Sequence, residues 1–372
     1  MSADFTDFAE TGMSDINQQP GADQEMMLSH SDSEARQLYD LAIQVKKLAP
    51  WQWMEETDVF GLENPDTGEL GFISVMGNIG EYEAVAVYLG AAGLHDFIHF
   101  QADELATPYR LLELAHLQAA FSDREYLEKE DRDLIKELGL KFRGPNAWPL
   151  FRSYRPGYLP WFVTRADARF FIHALSQLLD VAKRLRDEPS PIQPVRRVEK
   201  GGHWVRASHR EGPELVWEDQ VWSIPRPATE PLAVVVDSDL LDLLKRIPRS
   251  DLDIEVDLLL TPGRIVKPRQ RPLAVYVLMV ADRNSGFILG ADAMTAENSL
   301  EAMHAGIPNS LVKALLQNQI VPKRLLVRSK FLRSLLRNLT QSLNIELRHA
   351  DELPSIDEAA AFLKESMRGG RV

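Results

Sequence analysis

Between residues 33 and 48 the apolar positions Leu38, Leu41, Ala42, Val45 and Leu48 recur at helical spacing, and Pro50 ends the run, so a helix is predicted there. Residues 58–62 and 70–76 are two apolar runs joined through Asn64-Pro65-Asp66-Thr67-Gly68, whose residue types suit a tight turn, and they predict a β-hairpin. Gly77-Asn78-Ile79-Gly80-Glu81 then leads into the apolar run 84–89, a layout of strand, glycine turn and helix. Residues 95–101 predict a short strand, 109–121 and 125–138 two helices, the second heavily charged. From 165 to 186 the spacing predicts an amphipathic helix with Phe170, Phe171, Ala174, Leu175, Leu178 and Val181 on one side.

The second half has a different rhythm. Tryptophans alternate with charges over 203–224 as in short strands, 233–236 is an apolar run, and 238–245 predicts a helix. Strands follow at 254–260, 273–281 and 287–291, with turns at Thr261-Pro262-Gly263 and Arg283-Asn284-Ser285-Gly286. Helix, strand, helix, strand and helix are then predicted over 310–318, 324–327, 331–343, 345–348 and 356–367. The expected fold class is α+β and α/β in two domains. An N-terminal α+β domain with a hairpin and several helices spans 33–186, a Pro- and Gly-rich linker 187–202, and a C-terminal α/β domain 203–372.

Composition narrows the chemistry. The 372 residues hold 42 Lys and Arg against 55 Asp and Glu, a net charge of −13, and no cysteine, which excludes disulfides, thiolate metal sites and cysteine nucleophiles. Eight acids and no Lys or Arg fall within residues 1–35. A stretch this acidic buries too little to offset chain entropy, so residues 1–32 are expected to be a disordered tail. No run approaches the ~18 apolar residues of a membrane helix, and no secretory signal opens the chain, so a cytoplasmic protein without membrane contact is expected.

Few motifs carry chemistry. The turn at 77–81 fits neither G-x-G-x-x-G nor G-x-x-x-x-G-K-[ST], and Glu81 would repel a phosphate, so a structural turn is the expectation. Residues 148–161 interleave aromatics with Arg152 and Arg155, which suits base stacking or an edge segment packed on a core; the acidic unit around them favours packing. His95 and His99 stand four apart, but on a strand their side chains would lie ~13 Å apart, too far for one metal. Lys330, Arg333 and Arg337 share one helical face, with Lys323, Arg324 and Arg328 just upstream, six cations where a phosphate backbone could lie. No cofactor is indicated.

Glu255-Val256-Asp257, residues 280–290, residues 320–331 and Asn344-Ile345-Glu346 resemble, in order and local sequence, the ribonuclease-H-like core of integrases and transposases over about a hundred residues. The resemblance implies two divalent ions held by carboxylates from the first strand, the fourth strand and a late helix. Asp257 is the candidate first ligand and Glu358 the candidate third, but Arg328-Ser329-Lys330 stands where an aspartate is called for, and a cation there repels Mg²⁺. Residues 51–54, 58–65, 74–81 and 151–158 also resemble a group of uncharacterised bacterial proteins that pair a domain of unknown function with such an α/β domain. The expectation is a non-catalytic binding or interaction protein whose partner is protein or nucleic acid. The alternatives are a metal-dependent nuclease using Asp257 with Asp282 or Glu358, and nucleic-acid binding through Arg324, Arg328, Lys330, Arg333 and Arg337.

Overall fold

A computed structural model describes residues 28–29, 31–78, 80, 82–101, 112–187, 202–227, 232, 234, 236–267 and 270–369. Of the expected acidic tail over 1–32, residues 1–27 and 30 lie outside these residues, as does nearly all of the expected linker, while Leu28 N donates to Val163 O at 3.4 Å. The first sheet has seven strands: β1 (Phe60–Glu63), β2 (Leu70–Met76), β3 (Ala84–Leu89), β4 (His116–Ser122), β5 (Trp148–Tyr154), β6 (Gly202–Glu211) and β7 (Glu214–Ser223), in the order β5-β4-β3-β2-β1-β6-β7. Helices α1 (Ser33–Leu48) and α4 (Arg165–Asp187) cover one face of it, where Leu38, Val45, Phe171, Leu175 and Leu178 meet Phe60, Ile73, Val85 and Leu117. On the other face, α2 (Gly90–Gln101) lays Leu94 and Phe97 over Phe72 and Tyr88. Helix α3 (Lys129–Glu137) lies beyond β5, held by Asp131, which accepts two hydrogen bonds from buried Arg152 at 2.9 and 2.6 Å.

Three local expectations are corrected. Residues 84–89 form β3, not a helix, because the run lies between β2 and β4 and is buried on both faces, where a strand shows no alternation. There is consequently no helix N-terminus behind the glycine turn at 77 and 80. Residues 95–101 belong to α2 instead of a strand, since Leu94 and Phe97 reach the sheet at i, i+3 and the Phe97 ring stacks on Tyr88 at 4.3 Å. Residues 116–122 are a strand where a helix was expected: Leu117, Ala119 and Phe121 face α1 and α4 while Ala120 joins the α2 side.

The hairpin β6–β7 corrects the domain division. Strand β6 pairs in parallel with β1 at Gly61 and Leu62, so residues 202–223 complete the first sheet although they follow the linker. The expected start of the second domain at 203 therefore assigns this hairpin to the wrong sheet. Parallel pairing needs a long crossover, and α4 lies within it. Buried Arg206 fixes the junction by donating to Gln177 of α4 at 2.9 Å and to Asp219 of β7 at 2.6 Å.

The second sheet contains β8 (Asp253–Ile265), β9 (Leu273–Asp282), β10 (Ile288–Thr295), β11 (Arg324–Val327) and β12 (Glu346–His349), in the order β10-β9-β8-β11-β12. The first three are antiparallel neighbours, while β11 runs parallel to β8 and β12 parallel to β11. Thr261-Pro262-Gly263, expected as a turn, is a bulge within the long β8. Helices α5 (Ser238–Lys245), α6 (Leu300–Gln317) and α7 (Lys330–Ser342) pack on the face that carries Ile254, Val256, Leu278 and Val280. Helix α8 (Pro354–Gly369) covers the opposite face through Ile356 against Met279, Ala281 and Leu326.

The aromatic and proline-rich stretch 148–161 packs the two sheets together. Its first half is the edge strand β5, with Arg152 consumed by Asp131 and lying 4.7 Å from the Phe162 ring. Its second half crosses to the other sheet, where Leu159 N donates to Pro272 O at 2.9 Å and Ala274 N donates to Gly157 O at 3.0 Å. Leu159 then packs with Ala274, Tyr276 and Met303. Arg271 donates back to Ser153 Oγ at 3.1 Å.

Gly157 has φ +85° and would place a Cβ 2.5 Å from Ala296 Cβ, so it is required both by its conformation and by its neighbour. Gly157→Ala is expected to lower stability by about 2 kcal/mol or more and to raise protease sensitivity around residue 157. Gly68→Ala, at φ +75° in open space, costs only the left-handed backbone penalty of about 1 kcal/mol; equal denaturant midpoints for the two variants would show that the close approach at 157 contributes nothing.

Candidate functional site

Strand β8 opens with acids at alternate positions, Asp253, Glu255 and Asp257, separated by Ile254 and Val256. Period-two geometry sends the two apolar side chains into the core under α6 and α7 and the acids to the face covered by α8. Carboxylates on a half-buried face must be paired, because burying an unpaired charge costs several kcal/mol. Each of the three has its own arginine. Asp253 receives Nε and Nη2 of Arg324, its register partner on β11, in a fork at 2.5 Å each. Glu255, with no exposed surface, accepts from Arg283 Nη1 at 3.1 Å and from the backbone N–H of Ile356 at 3.2 Å. It thereby satisfies one of the orphan donors in the first turn of α8.

The third acid is the most informative. Arg328 follows β11 directly, and its guanidinium lies between two carboxylates, Nε 2.9 Å from Asp257 Oδ2 and Nη2 2.5 Å from Asp357 Oδ1 on α8. The Nε contact is an ion pair out of line for a hydrogen bond, so attraction of charge holds it. Burial pushes the Asp257 carboxyl up to about 6, partly offset by the nearby Arg328 charge and the Leu258 N–H, which donates to Oδ1 at 3.1 Å. Two unit charges 4 Å apart interact by about 4 kcal/mol at an effective dielectric of about 20. A guanidinium between two carboxylates gains on both sides and removes the repulsion between them.

This geometry decides several expectations. Asp257 does sit at a carboxylate pair, and its partner on the last helix is Asp357; Glu358, the expected third acid, points to solvent one residue on. Asp282 accepts from Asn284 N and Ser285 Oγ in the β9–β10 turn and takes no part. A divalent ion held by Asp257 and Asp357 would have to occupy the space of a fixed cation, so these residues do not fit the two-ion arrangement. Among the described residues no group of three His, Asp or Glu is placed to hold a metal. His95 and His99 lie on α2, where i, i+4 does put both on one face; the distance argument from strand geometry does not apply, yet no third ligand joins them.

The six-cation cluster divides in two. Lys323 pairs with Asp251 at 2.7 Å, Arg324 with Asp253 and Arg328 with Asp257 and Asp357, so these three are spent within the fold. Lys330, Arg333 and Arg337 are exposed on α7 without an ion pair among the described residues. Helix α7 contains no acid at all, and Leu332, Leu335, Leu336 and Leu339 hold its other face in the core. Lys330 and Arg333 stand in its first turn, where the positive end of the helix dipole makes each cation unfavourable by about 0.3–1 kcal/mol.

His116 and Gln118 of the first sheet were not singled out by sequence. His116 is fully buried between Tyr88 and Tyr154, its ring stacked on Tyr154 at 4.1 Å, and burial pushes its imidazole down to about 4, so it is neutral. Its Nδ1 bonds Leu114 O at 2.8 Å while Nε2 has no partner. Gln118 Oε1 accepts from Tyr154 Oη at 2.8 Å and Tyr82 Oη at 3.2 Å.

No helix among the described residues is long and apolar enough to cross a membrane. No curated protein matches the chain. Residues 36–199 match the family model of a domain of unknown function, DUF7309, and residues 240–364 that of a second, DUF6930, and the chain is thus a protein of two such domains.

Proposed function

We propose that this is a non-catalytic binding protein whose second domain is a ribonuclease-H-like core with its ion site closed by Arg328. The single observation that carries the reading is the guanidinium lodged between Asp257 and Asp357. The strand order, three antiparallel strands followed by two parallel ones on the far side of β8, with a helix after each of the last three strands, supports the core assignment. In an ion-dependent nuclease the carboxylates must accept a divalent cation that clamps the attacking and leaving oxygens. Here the same carboxylates are neutralised by a side chain that carries charge but has no open coordination position. A second reading, binding of nucleic acid without cleavage, is favoured by Lys330, Arg333 and Arg337, whose charges the fold itself leaves unused.

Incubation with single- and double-stranded DNA and RNA in Mg²⁺ or Mn²⁺ is expected to leave every substrate intact. Cleavage abolished by Asp257→Asn would overturn the reading. Arg328→Ala leaves two carboxylates facing each other and is expected to cost about 2–3 kcal/mol, the low end for breaking a buried pair because Arg328 is partly exposed. Millimolar Mn²⁺ should restore part of the loss in the variant and change nothing in the parent chain.

The acid itself gives a titration test. The native chain holds the Asp257 proton more tightly than an unfolded one, so this group favours folding below about pH 4, and that contribution is lost as pH rises through about 6. The carboxyl carbon resonance of Asp257 is expected to titrate near 6 in the parent and higher in Arg328→Ala, since the arginine pulls it down. A midpoint that does not move would mean that the guanidinium does not hold this carboxylate in solution.

A further inference from the structure

Resting on the binding reading, we infer that the exposed face of α7 is a platform for single-stranded nucleic acid, with phosphates on Lys330, Arg333 and Arg337 and a base stacked on Phe331. The charge pattern points to a polyanion. The helix carries three cations and no acid, in a chain of net charge −13, while Lys323, Arg324 and Arg328, on and beside β11, each pair with an acid. The spacing i, i+3, i+7 spreads the cations over about 10 Å of helix axis, the length of about three stacked nucleotides at 3.4 Å each. Lys330 and Arg333 occupy the helix end where local electrostatics disfavours cations, and an anion there reverses that penalty and meets the orphan N–H groups of the first turn.

The ring chooses among polyanions. Phe331 keeps 42% of its surface exposed on a helix whose leucines are otherwise buried, at the edge of the cation face, about 100° round the helix from Lys330. It is supported from behind by the half-buried His304 of α6, whose ring centroid is 4.6 Å away at 57°. Burial lowers the pKa of that imidazole, so at neutral pH it is an uncharged prop and adds no further cation. Lys330, Arg337 and Arg333 lie within about 60° of one another round the helix and Phe331 about 100° beyond Lys330, so the ring borders the cation face at its Lys330 end, where a strand with its phosphates on the three cations would turn an unpaired base onto it. A duplex keeps its bases stacked within the helix and offers this ring none, and an acidic polypeptide would use the charges but not the ring.

The test is fluorescence anisotropy of the full chain with a labelled oligothymidylate and with a duplex of the same length, both in EDTA. The single strand is expected to bind at least tenfold more tightly. With three phosphate contacts, the slope of log affinity against log salt should be about −2. Arg333→Glu should weaken both ligands and flatten that slope, whereas Phe331→Ala should weaken the single strand about tenfold and leave the duplex unchanged, with circular dichroism confirming that both variants fold. Equal binding of strand and duplex, an indifferent Phe331→Ala, or displacement of the strand by polyglutamate at equal charge concentration would each overturn the inference. Cleavage of the strand on adding Mn²⁺ would instead sink the non-catalytic reading and leave this one standing, so the two failures are distinguishable.

Discussion

A buried carboxylate must have a counter-charge, and much of the second domain's architecture follows from where those counter-charges come from. Asp253, Glu255 and Asp257 are aligned by the period of β8, and their arginines arrive from β11, from the β9–β10 turn and from the residue after β11. Each pair crosses between elements far apart in the chain. The acids therefore specify register between β8 and β11, and through Ile356 and Asp357 they fix how α8 enters across the sheet. Such pairs add little net stability over an apolar replacement, but leaving one acid unpaired is costly, so they act mainly against wrong arrangements.

The same pairs bear on function. On the proposed reading, Arg328 takes the place between Asp257 and Asp357 that a divalent ion would hold, without the open positions that let an ion bind substrate oxygens. Its engagement also separates structural from available cations. Those within reach of the β8 acids are neutralised in place, and those one turn further along α7 are left facing solvent.

The first domain solves a different problem, closing a sheet whose last two strands arrive after a long helix. Strand β6 reaches β1 in parallel only because α4 carries the chain back across the sheet, and the Arg206–Gln177–Asp219 contacts tie helix to hairpin. The loop after β5 then binds the two sheets through backbone hydrogen bonds at 157–159. Both family matches, 36–199 and 240–364, leave the β6–β7 hairpin between them, although it belongs physically to the first sheet.

Sequence alone determined the elements with a strong local period. Helix α1, the β1–β2 hairpin, α4, α7 and the strands of the second sheet are all legible, from the spacing of their apolar residues and the turns between them. That Arg328-Ser329-Lys330 puts cations and no acid at the end of β11 was legible too. Short runs were not: 84–89 and 116–122 are buried so completely that helix and strand leave the same composition, and 95–101, where only Phe97 is buried, is too short to show a period, so only their neighbours choose. Nor could sequence show that β6 and β7 turn back to the first sheet, that Asp357 rather than Glu358 reaches Arg328, or which of six cations remain free. Those are questions of which charges and hydrogen-bonding edges come within a few ångströms, and only the packed chain brings them together.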